Sequence, residues 1–342
     1  VAMITDYGDI TDQSFNQTTY EACNEFCTAN SVEFTYYKPA GDSTAERVAM
    51  VDAAVADGYN VIVMPGYAFA ETIKETAELY PDVTFIALDV AQGDLDPNGE
   101  GYTLPSNVYC AVYQEELCGY MAGYAAVKLG YTHLGVLGGM AVPAVQRFGY
   151  GFVQGADAAA VELGIADQVV MEYAYGNQFY GDADITAYMD NWYQTLGVEV
   201  VFASGGGIYT SAAEAAAKVG GKLIGVDVDQ SANIDTYGEG MCVTSAMKGL
   251  AETVQHMLSE VVAGNFANYG GKIETLGLVS GDDPTANYVQ LPMETTQWGD
   301  GFTQDDYKAL VKAMYDGEVT VSNDTSAMPE TTITVNFAGN IK

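Results

Sequence analysis

Short apolar runs rich in β-branched residues alternate with longer helical stretches along most of this chain. Predicted strands cover residues 1–5, 31–36, 61–64, 84–88 and 107–112, and a second set covers residues 133–137, 169–173, 200–203 and 222–226. Predicted helices between them cover residues 17–28, 43–57, 68–79, 115–129, 143–163, 180–195 and 211–219. Strands that are apolar almost throughout and alternate with helices indicate parallel sheets covered on both faces. The pattern therefore predicts an α/β fold.

The two sets of strands look like one plan used twice. Strands of both sets end in small or acidic residues, namely Asp6, Pro65, Gly66 and Asp89 in the first set and Gly138, Gly139, residues 204–207 and Asp227 in the second. Ligands of open α/β sheets bind at the carboxyl ends of the strands. We therefore expect two Rossmann-like lobes with parallel sheets, joined by a multi-strand hinge, and a ligand cleft between the lobes.

Beyond residue 227 the pattern continues with further strands and helices. They are a strand at 241–245, a helix from 247 to about 262, a strand near 273–279, a loop at 280–288, a helix at about 304–315 and a strand at 331–337. On this pattern the chain crosses between the lobes more than once. We assign residues 1–114 and 246–281 to an N-terminal lobe, and residues 115–245 and 282–342 to a C-terminal lobe.

The composition narrows the range of functions. The 342 residues are 49% hydrophobic, which is enough for two buried cores, and the net charge is −34. A surface this acidic repels nucleic acid and anionic membrane, because phosphates are bound through Lys and Arg. No apolar run reaches the roughly 18–20 residues of a membrane helix. We expect a monomer that meets the membrane only through an N-terminal lipid anchor absent from this chain.

Neither a metal nor a cofactor is indicated by the sequence. The five cysteines form no CxxC pair, and the two histidines do not complete a zinc site. Cys23 and Cys27 stand four residues apart on a predicted helix, so we expect both on one buried face. We therefore expect no metal and no cofactor.

The stretch TDYGDITDQSFNQ follows the first strand and contains three acids. It does not fit an EF-hand calcium loop, because Gly8 comes too early and Gln17 stands where the bidentate Glu belongs. Asp9 and Asp12 are expected to cap the following helix. Asp6 lies at the strand tip, where its side chain can face a ligand.

Three more positions carry chemistry suited to a polyol. Asp89 and Asp227 each follow or end a predicted strand, and a carboxylate there can accept two hydrogen bonds from a vicinal diol. Lys248 is one of only 12 basic residues and is predicted to start a helix, where a cation is unfavourable. It either pairs with Asp227 or a ligand, or is a solvated surface lysine.

Five segments run through the chain in order from about residue 2 to 250. They are TDYGDITDQSFNQTTYEA, FIALDV, HLGVLGGMAVPAVQRFGYGFVQGA, VFASGGGIYTSAAEAA and IGVDVDQS. Together they resemble the basic membrane protein family of bacterial substrate-binding lipoproteins and, within it, the purine-nucleoside receptors of ABC transporters. The resemblance implies a two-lobe type I periplasmic binding protein.

The resemblance also implies which residues bind the base. Phe15 and Phe179 would stack on the purine from either side, and each stack is worth ~1–3 kcal/mol in analogous nucleic-acid contacts. Asp6 and Asn16 would bind the edge of the base. Tyr7 departs from the family pattern, because a small or amide residue is commoner after the aspartate, and it could reshape the base pocket.

A second group of residues is implied to bind the ribose. Asp89 would take ribose hydroxyls from one lobe, and Asp227 and Lys248 would do so from the other. The backbone at Gly205 and Gly206 would lie close by, although the glycine-rich turn is equally typical of tight helix–strand packing.

The leading hypothesis is a non-catalytic, extracytoplasmic substrate-binding protein, tethered to the cell membrane as a lipoprotein. It would bind a purine nucleoside of the guanosine, adenosine or inosine type and deliver it to the permease subunits of an ABC importer. One alternative keeps the fold but binds a sugar, riboflavin or another small ligand. A second is a nucleoside hydrolase that uses clustered aspartates with a metal. A third is a ligand-responsive regulator, which the negative charge disfavours.

Overall fold

The computed structural model describes residues 1–342 and contains thirteen strands and eleven α-helices. The strands are β1 (Ala2–Ile4), β2 (Thr35–Tyr37), β3 (Val61–Pro65), β4 (Thr84–Leu88), β5 (Val108–Tyr113), β6 (His133–Gly138), β7 (Val170–Tyr175), β8 (Val200–Ser204), β9 (Lys222–Asp227), β10 (Cys242–Lys248), β11 (Lys272–Leu276), β12 (Val289–Gln290) and β13 (Thr334–Asn340). The predicted α/β architecture is confirmed.

The helices occupy the connections between strands. They are α1 (Phe15–Asn30), α2 (Thr44–Ala56), α3 (Ala70–Thr76), α4 (Gln92–Leu95), α5 (Glu115–Lys128), α6 (Pro143–Leu163), α7 (Ala183–Asp190), α8 (Tyr209–Ala217), α9 (Ser231–Ile234), α10 (Leu250–Val262) and α11 (Gln304–Tyr315). A π-helical turn, Asn191–Leu196, continues α7. No helix combines the length and the apolar character that a membrane crossing would require.

The chain divides into two compact units. The first unit comprises Val1–Tyr113 and Leu250–Leu276, and the second comprises Gln114–Gly249 and Gly277–Lys342. The backbone therefore passes from one unit to the other three times.

Gln114 and two short segments that the sequence pattern assigned to the N-terminal lobe belong to the second unit. Residues 246–249 do so because β10 runs on to Lys248, parallel to β9 and antiparallel to β12. Residues 277–281 also follow the end of β11 into the second unit.

Each unit is built on a sheet with the same core topology. The first sheet has the order β11-β5-β4-β3-β1-β2, and all of its pairings are parallel. The second has the order β12-β10-β9-β8-β6-β7-β13, in which only β12 is antiparallel to its neighbour. The order β5-β4-β3-β1-β2 is thus repeated as β10-β9-β8-β6-β7. One strand plan is used twice, as the sequence pattern predicts.

Apolar side chains of strands and covering helices fill a separate core in each unit. The first core includes Ile4, Met64 and Phe85, and all three are fully buried. The second is formed around Leu137 and Val201, with Trp192 of the π-helical turn packed on them. Burial of one such side chain stabilises the fold by about 1.5–3 kcal/mol.

Two local predictions had mixed outcomes. Cys23 and Cys27 are both buried on α1, as expected from their spacing. The prediction that Lys248 starts a helix is wrong, because Lys248 is the last residue of β10 and α10 begins at Leu250. The pairing of Lys248 with Val289 of β12 keeps the backbone extended there. This pairing partner is 41 residues away along the chain, so the local pattern could not reveal it.

Candidate functional site

Asp6 stands two residues beyond the carboxyl end of β1, and its carboxylate is held by the backbone that follows. Its Oδ1 accepts hydrogen bonds from the amides of Tyr7 and Gly8, each at 2.6 Å. Burial raises the pKa of the Asp6 carboxyl to about 6, although both amide hydrogen bonds oppose the rise. A methyl group on Gly66, at the end of β3, would lie 3.0 Å from Asp6 Oδ2. Asp6 therefore lies where the ends of β1 and β3 meet.

The start of α1 is capped by Asp12 and not by Asp9. The Asp12 carboxylate accepts hydrogen bonds from the amides of Ser14, Asn16 and Gln17, at 2.9, 2.9 and 3.1 Å. These are amides at a helix N-terminus, which have no partner within the helix. The prediction of capping is thus confirmed for Asp12.

For Asp9 the same prediction is wrong. The Asp9 carboxylate accepts hydrogen bonds from the amide and hydroxyl of Thr11, and Lys38 donates to its other oxygen at 2.5 Å. The side chain of Asp9 is half exposed. Asp9 therefore stabilises the surface turn before the helix.

Asn16 and Phe15 lie together in the first turn of α1. Asn16 is 4% exposed, and its Nδ2 donates to Asp12 Oδ2 at 3.1 Å. Its side-chain oxygen is buried and accepts no hydrogen bond. An unsatisfied buried acceptor costs about 1–3 kcal/mol, so it calls for a donor. Phe15 is partly exposed.

Tyr7 lies beside Asp6 and pairs with another tyrosine of the first unit. The hydroxyl groups of Tyr7 and Tyr67 are 3.4 Å apart. Burial raises the pKa of both hydroxyls, so both remain protonated at neutral pH. Tyr7, the residue that departs from the family pattern, therefore forms a pair of phenol groups with Tyr67 next to the Asp6 carboxyl.

Asp89 and Asp227 adopt an unusual backbone conformation at corresponding strand ends. Asp89 follows β4 with φ of 59°, and Asp227 ends β9 with φ of 67°. Only a few per cent of non-glycine residues have positive φ, and such residues concentrate at functional sites. Both carboxylates therefore lie at the carboxyl edge of a sheet, as the sequence predicts for each of them.

Lys248 lies next to Asp227, on the neighbouring strand. Lys248 Nζ is 3.7 Å from Asp227 Oδ1, and the two residues are 5% and 6% exposed. The sequence left open whether Lys248 pairs with Asp227 or is a solvated surface lysine. The structure places the ammonium group in the interior beside that carboxylate.

Lys248 also contacts residues that the sequence analysis did not single out. Its Nζ lies 3.4 Å from Glu115 Oε1, and Arg147 Nε donates to Glu115 Oε2 at 2.7 Å. Burial raises the pKa of the adjacent Glu116 carboxyl to about 7. A signal for this cluster exists in the sequence. Two acids precede the apolar run LCGYMAGYAAV, and one of the chain's few arginines stands in VPAVQRFGYGF.

Phe179 is held at the carboxyl ends of β6 and β8 by glycines. A methyl group on Gly139 would lie 2.5 Å from Cδ1 of the Phe179 ring, so the ring packs directly on that backbone. The amide of Gly207 donates to the carbonyl oxygen of Phe179 at 2.9 Å. Gly206 has φ of 55°, which glycine adopts without strain. A methyl group on Gly205 would lie 2.7 Å from the Cα atom of Gly139.

The predicted ligand residues divide into two groups of five, one in each unit. The first group, on the first sheet and α1, consists of Asp6, Tyr7, Phe15, Asn16 and Asp89. The second group, on the second sheet and its loops, consists of Phe179, Gly205, Gly206, Asp227 and Lys248. No cluster of three or more His, Cys, Asp or Glu side chains has the geometry to hold a metal ion.

Comparison with known proteins gives both family and fold. Residues 1–282 match the Bmp family, which is described as "ABC transporter substrate-binding protein PnrA-like". Basic membrane protein B of Borreliella afzelii is 27% identical over 288 residues, which are 82% of this chain and 79% of that protein. The ABC transporter nucleoside-binding protein BmpA of Lactococcus lactis subsp. cremoris is 25% identical over 341 residues, 94% of this chain and 88% of that protein.

A solved structure shares the fold. The ABC transporter solute-binding protein of Conexibacter woesei superposes with a TM-score of 0.70 at 23% identity, covering 94% of this chain and 98% of that chain. The type I periplasmic binding fold expected from the sequence is therefore confirmed, and so is the resemblance to the basic membrane proteins. Because the family description spans 282 of the 342 residues, the chain belongs to the PnrA-like family of ABC transporter substrate-binding proteins.

Proposed function

We propose that this protein is an extracytoplasmic, non-catalytic receptor for a purine nucleoside, which it delivers to the permease subunits of an ABC importer. Membership of a family of ABC transporter substrate-binding proteins supports the transport role. The relative from Lactococcus lactis is named a nucleoside-binding protein, and this supports the ligand class. Guanosine, adenosine and inosine are the ligands to test first.

The observation that carries the ligand proposal is the pair formed by Asp227 and Lys248. A buried carboxylate and a buried ammonium group lie 3.7 Å apart at the ends of neighbouring strands. A carboxylate only accepts hydrogen bonds and an ammonium group only donates them, whereas a hydroxyl group does both. The pair therefore suits the vicinal 2′- and 3′-hydroxyls of a ribose. Asp89 would supply a further acceptor.

The base would be bound by the aromatic and polar residues of the two groups. Phe15 and Phe179 are partly exposed rings, and we propose that one purine stacks on both. The buried side-chain oxygen of Asn16 would accept a hydrogen bond from an N–H on the edge of the base. Asp6 and Tyr7 would lie beside this edge, and the backbone at Gly205 and Gly206 would lie beside Phe179.

Calorimetric titration with a panel of ligands tests the proposal. We expect guanosine, adenosine or inosine to bind, cytidine to bind more weakly because its ring is smaller, and free ribose not to bind. Phe15→Ala should abolish nucleoside binding, whereas Phe34→Ala should retain it, because Phe34 packs on Tyr20 at a ring distance of 5.5 Å. Binding of ribose or riboflavin without binding of any purine nucleoside would overturn the ligand assignment.

Incubation with inosine tests the non-catalytic role. Chromatography of the mixture should recover the nucleoside intact, with or without added calcium. Release of hypoxanthine and ribose in amounts that exceed the protein would identify a hydrolase instead.

A further inference from the structure

Four charged side chains of the second unit form one chain of alternating sign, which is buried except at Arg147, whose side chain is 18% exposed. Arg147 Nε donates to Glu115 Oε2 at 2.7 Å, and Glu115 Oε1 lies 3.4 Å from Lys248 Nζ. Lys248 Nζ in turn lies 3.7 Å from Asp227 Oδ1. The side chains of Glu115 and Lys248 are 0% and 2% exposed. Two cations and two anions balance each other in this chain.

The ammonium group of Lys248 is held in place by more than its contact with Asp227. A lysine side chain has four flexible methylene groups, and fixing it costs up to about 2 kcal/mol of rotamer entropy. The distance of 3.7 Å to Asp227 is longer than a direct hydrogen bond. Glu115 lies closer to the ammonium group, and the ring of Phe148 lies 5.4 Å from it. These contacts confine the ammonium group near Asp227.

Helix packing fixes Glu115 and Arg147 relative to each other. Glu115 is the first residue of α5, where the helix dipole favours a carboxylate. A methyl group on Gly119 of α5 would lie 2.2 Å from the carbonyl oxygen of Phe148 on α6. A methyl group on Gly151 of α6 would likewise lie 2.2 Å from the carbonyl oxygen of Glu116. The backbones of the two helices are therefore in direct contact where Arg147 reaches Glu115.

Glu116 does not replace Glu115 in this role. Its Oε2 is buried and makes no hydrogen bond, and it lies 4.0 Å from Arg147 Nε. Burial, and secondarily the charge of Glu115, raise the pKa of the Glu116 carboxyl to about 7. Glu115 is the glutamate whose carboxylate is seen beside Lys248, with Oε1 at 3.4 Å from Nζ.

We infer that Glu115 and Arg147 are positioning residues for Lys248: they hold its ammonium group beside Asp227, where it donates to a ribose hydroxyl of the bound nucleoside. The inference rests on the proposed function and adds two residues that act on the ligand only through Lys248. Because Lys248 would contact only the ribose, loss of Glu115 should affect binding only of ligands that carry ribose hydroxyls.

The test compares inosine with 2′,3′-dideoxyinosine, which lacks those hydroxyls. Wild-type protein should bind inosine at least about tenfold more tightly than it binds 2′,3′-dideoxyinosine. Glu115→Gln should weaken inosine binding about tenfold and change dideoxyinosine binding less than about twofold. In a Lys248→Met background the same substitution should have no further effect on inosine binding, because the two residues act in series. Glu162→Gln, at an exposed ion pair with Lys128, is the matched control.

Glu115→Gln removes the carboxylate that faces both Arg147 and Lys248, so a second variant guards against a loss of folding. The double variant Glu115→Gln/Arg147→Gln removes one charge of each sign, and it should show the same loss of preference for inosine. Equal weakening of both ligands, or an unchanged preference in a folded variant, would overturn the inference alone. Wild-type protein that binds no purine nucleoside would overturn the proposed function as well.

Discussion

Asp89 and Asp227 occupy equivalent positions in the two repeated sheets, and both have a left-handed backbone. Each stands at the end of the second strand in the repeated order, β4 or β9, with φ of 59° or 67°. For a residue with a Cβ atom this conformation costs about 1–2 kcal/mol. A repeated cost at the carboxyl edges of both sheets supports a role in ligand binding for both carboxylates.

The first prediction separates the effect of the Asp89 backbone conformation on stability from the effect of the Asp89 carboxylate on ligand binding. Asp89→Gly should be more stable than Asp89→Ala by about 1 kcal/mol, because glycine adopts positive φ without a steric cost. Both variants should lose nucleoside affinity, because both lack the carboxylate. Urea denaturation measures the stabilities and calorimetry measures the affinities.

Asp167 offers the control for this comparison. It lies in an exposed turn, and its φ is not positive. Asp167→Gly should therefore be less stable than Asp167→Ala, by about 0.5–1 kcal/mol, since glycine loses more backbone entropy on folding. The same order at both positions would contradict the assignment of strain to Asp89.

The second prediction concerns the pH dependence of stability at Asp6. Burial raises the pKa of its carboxyl in the folded protein from the ordinary value of 3.8 to about 6. The folded state therefore binds the proton more tightly, and the Asp6 carboxyl lowers the free energy of unfolding as pH rises from about 4 to 6. The loss is on the order of 3 kcal/mol and is complete above that range.

Denaturation of Asp6→Asn and wild-type protein across pH 4 to 7 checks this effect. The variant should gain stability relative to wild type as pH rises to about 6. Asp182→Asn is the control, because a hydrogen bond from Lys342 and further donors lowers the pKa of the Asp182 carboxyl to about 2. Its difference from wild type should stay constant above pH 4. A constant difference for Asp6→Asn would show that its carboxyl is not enclosed.

The third prediction uses the contact between Gly139 and Phe179. The methyl group of Gly139→Ala would lie 2.5 Å from the ring, so the ring must move. Nucleoside affinity should fall about tenfold, since a stacked base contributes about 1–3 kcal/mol. Gly93→Ala is the control, because no atom lies within 4 Å of its added methyl group. Unchanged affinity in a folded Gly139→Ala protein would remove Phe179 from the proposed site.

The fourth prediction concerns the hydroxyl pair of Tyr7 and Tyr67. Tyr7→Phe and Tyr67→Phe should each lower stability by about 1 kcal/mol, and the double variant should lose less than the sum, because the two hydroxyls share one contact. Additive losses in urea denaturation would mean that the pair is not coupled.

The strand ends could be predicted from sequence because their signal is local. Asp6, Asp89 and Asp227 each stand at the end of an apolar run, and the direction of a parallel strand decides which edge they reach. The cap at Asp12 followed from its spacing to the helix. Asp9 does not cap the helix, because Lys38, which is 29 residues further along the chain, donates a hydrogen bond to its carboxylate.

The acids and the arginine of the buried ion chain leave a signal in the sequence, but their pairing could not be predicted because they come from distant segments. Glu115 and Lys248 are 133 residues apart along the chain. Whether a charged residue at the start of an apolar helix is buried depends on what packs on that helix, here α6. The closing strand β13 was predicted at residues 331–337 but lies at Thr334–Asn340, because its register is set by β7.

We expect one purine nucleoside to take its base contacts from Phe15 and Phe179 and its ribose contacts from Asp227 and Lys248. The decisive experiment is a crystal structure of the protein with inosine. Both rings should stack on the base, and the ribose hydroxyls should lie within about 3 Å of the carboxylate and the ammonium group. Inosine bound elsewhere, or bound with its ribose away from Asp227 and Lys248, would contradict it.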